Sequence, residues 1–343
     1  MPVIGRGGSS PLSDTPGVSC THRWLLLYRD MVISAHARFS PLSSVPVPDD
    51  LSSNVNDVAL VFEGGGMRAS FSAGVAATLL EAQIHIGWVG GISAGSSCLA
   101  NYLSRDVERT RTTFVEFAAH PRFGNWGTWL RGRGLFNAEW IYEHTSEPHQ
   151  ALPFDHETFT RNPASLRIGG FRCQDGQMIY WGRDDVQGRQ DLMKRVRASS
   201  TMPLLMPITR IDGVDYCDGA LGPTGGLAID AAKADGHDRF LVVLTRERGY
   251  RKAPARFPAA HHAVFRRYPA IAQGILERPD NYNRAMAELR HLEKAGRAFL
   301  VFPDEMRITN SERNVWRLRS MYEQGRAVAS RLLPAIRDFL GLS

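Results

Sequence analysis

From about residue 58 onwards, apolar runs of strand length alternate with helical segments. Val58–Phe62 is a continuous apolar run that predicts a buried strand, and Phe71–Gln83 has the pattern of a helix. Ile86–Gly90 predicts the next strand, and Ala94–Leu103, which opens on small residues, predicts the next helix. This alternation is typical of a mostly parallel sheet covered by helices on both faces. The sequence therefore predicts an α/β protein with a three-layer α/β/α architecture.

Further along the chain, two Asp-Gly pairs, Asp175-Gly176 and Asp212-Gly213, lie between runs of strand length and predict hairpin turns. The strands that flank these turns are expected at Ser165–Arg172, Gln177–Trp181, Ile208–Ile211 and Val214–Cys217. Later strands are expected at Arg239–Leu244 and Ala298–Phe302, and helices at Asp185–Arg197, Leu227–Lys233, Asn281–Ala295 and Ser311 to about Phe339. The C-terminal part is thus predicted to be rich in helix.

Composition divides the chain into three segments. Residues 1–55 are rich in Ser, Pro and Gly, and we expect a poorly ordered leader there. The apolar island Trp24–Tyr28 is too short and too late for the core of a signal peptide. Residues 56–240 are expected to form the main core, and residues 241–343 an extension packed on it.

Hydropathy, charge and cysteine content indicate which partners and which cellular compartment to expect. No apolar run approaches the ~20 residues that a membrane span requires, so membrane contact is expected only at the surface. The net charge of +6 suits anionic partners, although a solvated basic surface accounts for so modest an excess as well. The sequence contains no array of basic and aromatic residues of the kind that indicates nucleic-acid binding. The cysteines are scattered without C-x-x-C spacing, which predicts neither a zinc site nor a disulfide framework and favours a cytoplasmic protein.

The candidate chemistry begins at Gly91-Ile92-Ser93-Ala94-Gly95, a G-x-S-x-G pattern. This pattern holds a serine on a tight turn between a strand and a helix, and both neighbours are predicted here. The alternative is a turn of small residues that serves backbone geometry only. The context favours Ser93 as a nucleophile.

A second turn, Gly64-Gly65-Gly66, places consecutive backbone N–H groups at the mouth of another helix, where an anion can be held. A dinucleotide-binding turn is the alternative, because Ala69 completes a G-x-G-x-x-G/A pattern. However, no acidic residue ends the second strand at the usual distance. The two turns together are better explained as a nucleophile and its oxyanion donors. The residues predicted for the anion site are Gly64, Gly65, Gly66, Arg68 and Ala94.

A serine hydroxyl needs a base to become a good nucleophile. Asp218 and Gly219 end a predicted strand, at the edge of the sheet where active sites lie in open α/β folds. Partial burial there would raise the pKa of the carboxyl group and suit it to accept a proton, although an Asp-Gly pair is also a common turn former. His261 and His262 stay open as alternative bases, whereas His237 precedes a strand and so belongs to the opposite edge.

Three stretches together resemble the signatures of patatin-like phospholipases, in the order and separation that the family shows. They are Gly64-Gly65-Gly66-Met67-Arg68, Gly91-Ile92-Ser93-Ala94-Gly95 and Asp218-Gly219-Ala220. Ala198–Pro203 is similar to the family's loop before the aspartate hairpin. The resemblance covers roughly residues 57–235, and the remainder is similar to the bacterial subgroup with an added C-terminal helical region.

This resemblance implies a patatin-like α/β/α fold and a Ser–Asp dyad without histidine, with Ser93 as nucleophile and Asp218 as base. It implies that the glycine turn forms the oxyanion hole, with Gly91, Gly95 and Gly219 supporting the motifs. The expected reaction is hydrolysis of lipid carboxylic esters through an acyl-enzyme, without cofactor or metal. The expected partners are a lipid or other acyl ester and, peripherally, an anionic membrane.

The sequence departs from the family pattern at three places. Ala69 stands where the glycine motif usually ends in glycine, and Ala220 replaces the more frequent second glycine after the aspartate. Leu221–Leu227 is also unusually rich in glycine. These departures leave the reactive groups intact but bear on substrate fit. A Ser-His-Asp esterase of small esters and a catalytically silent lipid-binding protein are the alternative functions.

Overall fold

A mixed eight-stranded sheet organises residues 50–342, which are the residues described by this computed structural model. The strands are β1 (Val55–Phe62), β2 (Ile86–Ile92), β3 (Ser165–Arg172), β4 (Met178–Trp181), β5 (Thr209–Ile211), β6 (Val214–Asp218), β7 (Arg239–Val243) and β8 (Ala298–Val301). Their spatial order is β5-β6-β3-β2-β1-β7-β8, and β4 pairs with β3 away from this path. β1, β2, β3, β7 and β8 run parallel, whereas β4, β5 and β6 join by antiparallel pairing. The predicted α/β class with a mostly parallel sheet is confirmed.

Helices cover both faces of the sheet. In chain order they are α1 (Ala69–Glu81), α2 (Ala94–Leu103), α3 (Val107–Phe114), α4 (Trp126–Leu130), α5 (Ala138–Glu143), α6 (His156–Arg161), α7 (Arg189–Ser200), α8 (Ile229–Ala234), α9 (Pro258–Val264), α10 (Pro269–Lys294) and α11 (Val315–Leu340). Successive side chains of a strand point to opposite faces, and β1 shows the consequence. Leu60 and Phe62 pack into one apolar core, and Ala59 and Val61 into the other. Both faces of the central strand are therefore buried.

The C-terminal part contributes to the sheet and to one helical layer. β8 pairs in parallel with β7, and α11 packs closely on α1. A Cβ atom at Gly74 would lie 2.1 Å from the carbonyl oxygen of Tyr322, and one at Gly325 would lie 2.1 Å from that of Phe71. Glycine at both positions therefore lets the two helix backbones approach. The domain boundaries at residues 55 and 240 stay predictions.

Three helix starts differ from the sequence-based expectation by four residues or more. α7 begins at Arg189 and not at Asp185. α10 begins at Pro269, twelve residues before the predicted start at Asn281, and contains Pro279 within it. The prediction was wrong because proline usually breaks a helix. α11 begins at Val315 and not at Ser311, because the side chain of Asn314 accepts hydrogen bonds from the backbone of residues 316 and 317 and so caps the helix.

The predicted leader falls almost wholly on residues 1–49, which lie outside the described residues, as do Cys20 and the apolar island at Trp24–Tyr28. Among residues 50–342, no helix has both the length and the apolar character needed to cross a membrane. Cys98, Cys173 and Cys217 are buried and free.

Candidate active site

Ser93 lies on a sharp turn between β2 and α2. Its backbone has φ of 57° and ψ of −130°, a conformation that non-glycine residues rarely adopt and that costs about 1–3 kcal/mol. The glycines on either side make this turn possible. A Cβ atom at Gly91 would lie 2.3 Å from the carbonyl oxygen of Gly95, and one at Gly95 would lie 2.2 Å from that of Phe62. The turn therefore presents the serine at the carboxyl end of the sheet.

Asp218 reaches Ser93 across 125 residues of sequence. The Oγ of Ser93 donates a hydrogen bond of 2.9 Å to Oδ2 of Asp218. Strand pairing brings the two together, because β2 lies beside β3 and β6 pairs with β3 from the other side, with Asp218 opposite Gly170. The carboxylate is fixed further, since the backbone N–H of Ala220 donates to Oδ1 at 2.9 Å and the N–H of Asp218 donates to the carbonyl of Thr201 at 2.8 Å.

The surroundings of Asp218 alter the pKa of its carboxyl group. Both Asp218 and Ser93 are only 6% exposed. Burial raises the pKa of Asp218 above its usual value, while the positive charge of Arg278 and the hydrogen bonds from Ala220 and Ser93 act in the opposite direction. A raised pKa makes the carboxylate a stronger base, and the hydrogen bonds keep it available in its ionised form.

Ser199 is a site residue that the sequence analysis did not single out. Its buried Oγ accepts a hydrogen bond from the backbone N–H of Ser93 at 2.9 Å and donates one to the carbonyl of Gly169 at 2.6 Å. On the other side, the Oγ of Ser96 donates to the carbonyl of Ser93 at 2.6 Å. Two side chains thus hold the backbone of Ser93. The only sequence signal was the Ala198–Pro203 stretch, noted for its family resemblance.

The glycine turn after β1 supplies fewer donors than expected. The N–H of Gly64 donates to the carbonyl of Gly226 at 3.0 Å, which removes Gly64 from the predicted oxyanion donors. The N–H groups of Gly65, Gly66 and Ala94 make no hydrogen bond to any residue between 50 and 342. These three donors belong to the turn and to the first residue of α2, where an anion is favoured.

The histidines that were open as alternative bases do not meet the dyad. His261 places Nε2 3.0 Å from the carbonyl of Arg256, and His262 is exposed. The ring of His237 packs on Trp88, near the start of β2 and hence at the opposite edge. In the part of the chain that the structure describes, no histidine hydrogen-bonds to Ser93 or Asp218.

The family model for patatin-like phospholipase matches residues 60–228, which contain both turns and the aspartate hairpin. The chain contains a patatin-like phospholipase domain. That family is hydrolytic and acts on lipid esters. A second model, for a domain of unknown function (DUF6363), matches residues 268–341 of this patatin-like protein, a region that includes all of α10, β8 and α11.

Two proteins similar to this patatin-like chain illustrate how far the likeness extends. The uncharacterized protein YjjU of Escherichia coli (strain K12) is 26% identical over 190 residues, which are 55% of this chain and 52% of YjjU. The match thus spans about half of the length of that curated relative. The crystal structure of VipD from Legionella pneumophila superposes with a TM-score of 0.45 and 12% identity, covering 81% of this chain and 67% of VipD.

A largely apolar cavity of about 70 Å³ opens beside Ser93 in the patatin-like domain. Its walls come from the segments between residues 113 and 152 and between residues 200 and 206, together with the two turns and with Ser97 and Asn310. The lining side chains are mostly aromatic or aliphatic: Phe114, Phe117, Phe123, Phe136, Ile141, Leu152, Met202 and Met206. Such a surface suits an apolar group attached to the reacting carbonyl.

Arg68, predicted to support the anion site, is 7% exposed. Its Nε is buried and makes no hydrogen bond to any described residue. Burial and the nearby charge of Arg246 lower its pKa to about 10, so it stays protonated at neutral pH. The guanidinium therefore lies in a strongly positive environment.

Proposed function

We propose that this patatin-like protein is a serine hydrolase that cleaves carboxylic ester bonds of lipids through Ser93 and Asp218. The hydrogen bond of 2.9 Å between the Ser93 hydroxyl and the buried Asp218 carboxylate carries the proposal. A base within hydrogen-bonding reach of a hydroxyl is the arrangement that nucleophilic catalysis by serine requires.

In the first half of the reaction, the Oγ of Ser93 attacks the ester carbonyl carbon while its proton passes to Oδ2 of Asp218. The carbonyl oxygen takes up the electron pair, and the N–H groups of Gly65, Gly66 and Ala94 stabilise its negative charge. Each such donor typically contributes about 2.7–4 kcal/mol to lowering the barrier. The intermediate then expels the alcohol, which takes the proton from Asp218, and leaves an ester on Ser93.

In the second half, water gives a proton to Asp218 and its oxygen attacks the acyl carbonyl. The same N–H groups stabilise the second oxyanion. Collapse breaks the bond to the Oγ of Ser93, which recovers its proton from Asp218, and the carboxylic acid leaves. One carboxylate thus serves both steps, so the cycle needs no histidine.

The apolar cavity supports a lipid as the source of the acyl group. Because Ser93 and Ala94 line the cavity together with Phe114 and Phe117, a carbonyl bound at the nucleophile would direct its acyl chain into apolar surroundings. The cavity of about 70 Å³ is smaller than an engineered protein cavity of about 150 Å³ that holds benzene. A long acyl chain would therefore extend beyond it.

A peripheral membrane contact is supported by exposed apolar side chains near the cavity. Leu130 is 77% exposed and Leu204 is 58% exposed, and the indole N–H of Trp129 donates to the carbonyl of Leu204 at 3.1 Å. Leu204 lies between Met202 and Met206 in sequence, and both of these line the cavity. Exposed arginines at positions 131 and 133 follow Leu130 directly. Apolar and basic side chains together favour an anionic membrane surface.

The dyad is tested with a substrate panel of short p-nitrophenyl esters, phospholipids and lysophospholipids. Ser93→Ala should abolish hydrolysis, and Asp218→Asn should lower kcat about 10²- to 10⁴-fold, because the general base is lost. His261→Ala and His262→Ala are the controls and should stay within about twofold of the wild type. Loss of activity in either histidine variant would instead support a Ser-His-Asp esterase.

Covalent labelling separates catalysis from silent binding. A fluorophosphonate probe should modify the wild type and leave Ser93→Ala unlabelled, since the probe needs an activated serine. Lipid binding without labelling or hydrolysis would indicate a catalytically silent lipid-binding protein.

A further inference from the structure

Four cationic side chains lie close enough for their charges to interact: Arg68, Arg246, Lys252 and Arg278, called here the cation cluster. One of them, Arg278, also interacts with Asp218 of the dyad. Their sources are the end of the glycine turn, the segment after β7 and the helix α10. Three of the four lie beyond residue 228, where the patatin-like match ends. The dyad and the glycine turn do not by themselves require them.

Sheet topology explains why Arg246 meets the glycine turn. β1 and β7 are parallel neighbours, so their carboxyl ends lie at the same edge, the one that carries Ser93. Glu63 follows β1 directly, and its side chain accepts a hydrogen bond from the backbone of Thr245. A Cβ atom at Gly65 would lie 2.7 Å from the Oγ1 of Thr245. Arg246, the next residue, is therefore held against the turn.

Arg278 comes from the face of α10 that packs on the turn after Asp218. A Cβ atom at Gly274 would lie 3.0 Å from the Cβ of Leu221, and the Nδ2 of Asn281 donates to the carbonyl of Gly222 at 3.3 Å. Positions 274, 278 and 281 share one helix face, because residues three and four apart are neighbours on a helix surface. The charge of Arg278 is accordingly close enough to oppose the rise in the pKa of Asp218.

Two tyrosine rings hold the remaining cations in place. The guanidinium carbon of Arg246 lies 4.5 Å from the ring centre of Tyr250, and the Nζ of Lys252 lies 4.5 Å from that of Tyr282. The two rings are 6.1 Å apart in an edge-to-face arrangement. Cation–π contacts of this kind fix the direction of the charged groups without neutralising them.

The cation cluster lacks the carboxylate partners that other arginines of this chain have. Arg326, for example, forms two hydrogen bonds with Glu81, whereas no member of the cluster forms a salt bridge with any residue from 50 to 342. The Nε atoms of three members are buried without a hydrogen bond to the described chain, namely Arg68, Arg246 and Arg278. Two carboxylates face the four cations: the charge of Glu63 acts on Arg68 and Lys252, and that of Asp218 interacts with Arg278.

Assembling like charges at a partly buried place is unfavourable. The pKa of Lys252 falls to about 8, chiefly because the side chain is buried and also because Arg278, Arg68 and Arg246 repel its charge. An anion bound among these groups would offset both effects. Guanidinium groups in particular match the oxygens of phosphate with paired hydrogen bonds.

We infer that the cation cluster is a binding site for a phosphate group, which in the proposed reaction belongs to the ester substrate. This inference rests on the proposed function only for the source of the phosphate. The cluster and the apolar cavity share no residue, and both adjoin the dyad. A substrate with an acyl chain and a phosphate would occupy both and place its ester carbonyl at Ser93.

The site itself is tested by binding of inorganic phosphate and glycerol 3-phosphate, with glycerol as the neutral comparison, measured by isothermal titration calorimetry. The wild type should bind both phosphates saturably and glycerol not at all. Arg246→Gln and Arg278→Gln should each weaken binding about tenfold or more, because each removes a charge-assisted contact. Arg251→Gln is the matched control, since the side chain of this exposed arginine in the same loop forms no hydrogen bond, salt bridge or cation–π contact with any residue from 50 to 342, and it should bind within twofold of the wild type.

Folding of each variant is checked by its thermal unfolding midpoint. Arg278→Lys keeps the charge and loses the paired geometry, so its phosphate affinity should fall between those of the wild type and Arg278→Gln. Absence of saturable phosphate binding in the wild type would overturn the inference. So would phosphate affinity that is equal in Arg246→Gln, Arg278→Gln and Arg251→Gln.

Hydrolysis identifies the source of the phosphate. The measured quantity is the ratio of kcat/KM for a 1-acylglycerol 3-phosphate to that for the 1-acylglycerol with the same chain. A ratio that falls about tenfold in Arg246→Gln and stays unchanged in Arg251→Gln assigns the cluster to the substrate headgroup. Phosphate binding with a ratio equal in all variants keeps the site but assigns it to free phosphate. Binding without any hydrolysis would refute the proposed function and leave the phosphate site standing.

Discussion

Replacing Ser199 by alanine tests whether the backbone of the nucleophile is held from outside its own turn. The substitution removes one oxygen that accepts from the N–H of Ser93 at 2.9 Å and donates to the carbonyl of Gly169 at 2.6 Å. Ser199 is fully buried, so water cannot replace either hydrogen bond without entering the core. The backbone N–H of Ser93 is left without its partner.

The expected loss of stability follows from these two bonds. A buried donor left unsatisfied costs about 1–3 kcal/mol, and a lost ordinary hydrogen bond costs about 0.5–1.5 kcal/mol. Together they give a loss of about 2–4 kcal/mol in the free energy of unfolding, which lowers Tm by roughly 3–6 °C in a chain of 343 residues, at about 2.1 cal/mol/K of unfolding entropy per residue. Ser93 can also relax from its conformation at φ of 57°, and release of about 1.4 kcal/mol of that strain corresponds to about tenfold in kcat/KM.

The assay compares Ser199→Ala with Ser72→Ala, in thermal unfolding and in hydrolysis of a p-nitrophenyl ester. Ser72 is equally buried, but its hydroxyl makes no hydrogen bond to any described residue, so its removal leaves no partner unsatisfied. We expect Ser72→Ala to stay near the wild type in both measurements. If the two variants had the same Tm and the same kcat/KM, the hydrogen bonds of Ser199 would not support the nucleophile.

Two further predictions concern ionisation and membrane contact. Because burial raises the pKa of Asp218 and the base must be ionised, kcat/KM should fall with decreasing pH through a midpoint above the ordinary 3.8. Arg278→Gln removes a cation that lowers this pKa, so the midpoint of the pH profile should move to higher pH. An unchanged midpoint would show that the charge of Arg278 does not act on Asp218. Leu130→Ser should weaken binding to vesicles containing anionic lipid by about tenfold or more, since burial of a leucine contributes about 1.5–3 kcal/mol. In the same cosedimentation assay Val264→Ser, which alters another exposed apolar residue, should bind like the wild type, and equal losses would argue against a membrane surface around Leu130.

Much of the fold, and the edge of the sheet at which Ser93 and Asp218 lie, could be predicted from local patterns in the sequence. The run Ile86–Gly90 and the glycines around Ser93 are a strand and a turn whose causes lie within a dozen residues. The contact between Ser93 and Asp218 spans the fold, yet it was predictable, because both residues end strands and strand ends define one edge of the sheet. Such patterns can be recognised because the backbone conformation of a strand or a turn depends on residues that are close together in the sequence.

Contacts that depend on how helices and strands align in space, or on distant loops, could not be predicted from the sequence. Ser199 contacts Ser93 only because α7 packs against β3 in one particular alignment. A serine within a helix does not indicate in the sequence which strand the helix will pack against. The bond between Gly64 and the carbonyl of Gly226 joins two glycine-rich stretches whose pairing no local rule specifies. Because Pro279 indicated a break in the helix, the first part of α10 was not predicted, and neither was the position of Arg278 within it.

Residues beyond the match to the patatin-like model help to shape the glycine turn. The carbonyl of Asn310 accepts from the N–H of Met67 at 2.9 Å, and a Cβ atom at Gly66 would lie 2.4 Å from that oxygen. Thr245 packs against Gly65 in the same way from the end of β7. Both contacts come from beyond residue 228, so the direction of the proposed oxyanion donors depends on segments that the three sequence motifs do not include. Proteins that share the serine and aspartate motifs can therefore differ in donor geometry, and in the charge beside it, through their C-terminal regions alone.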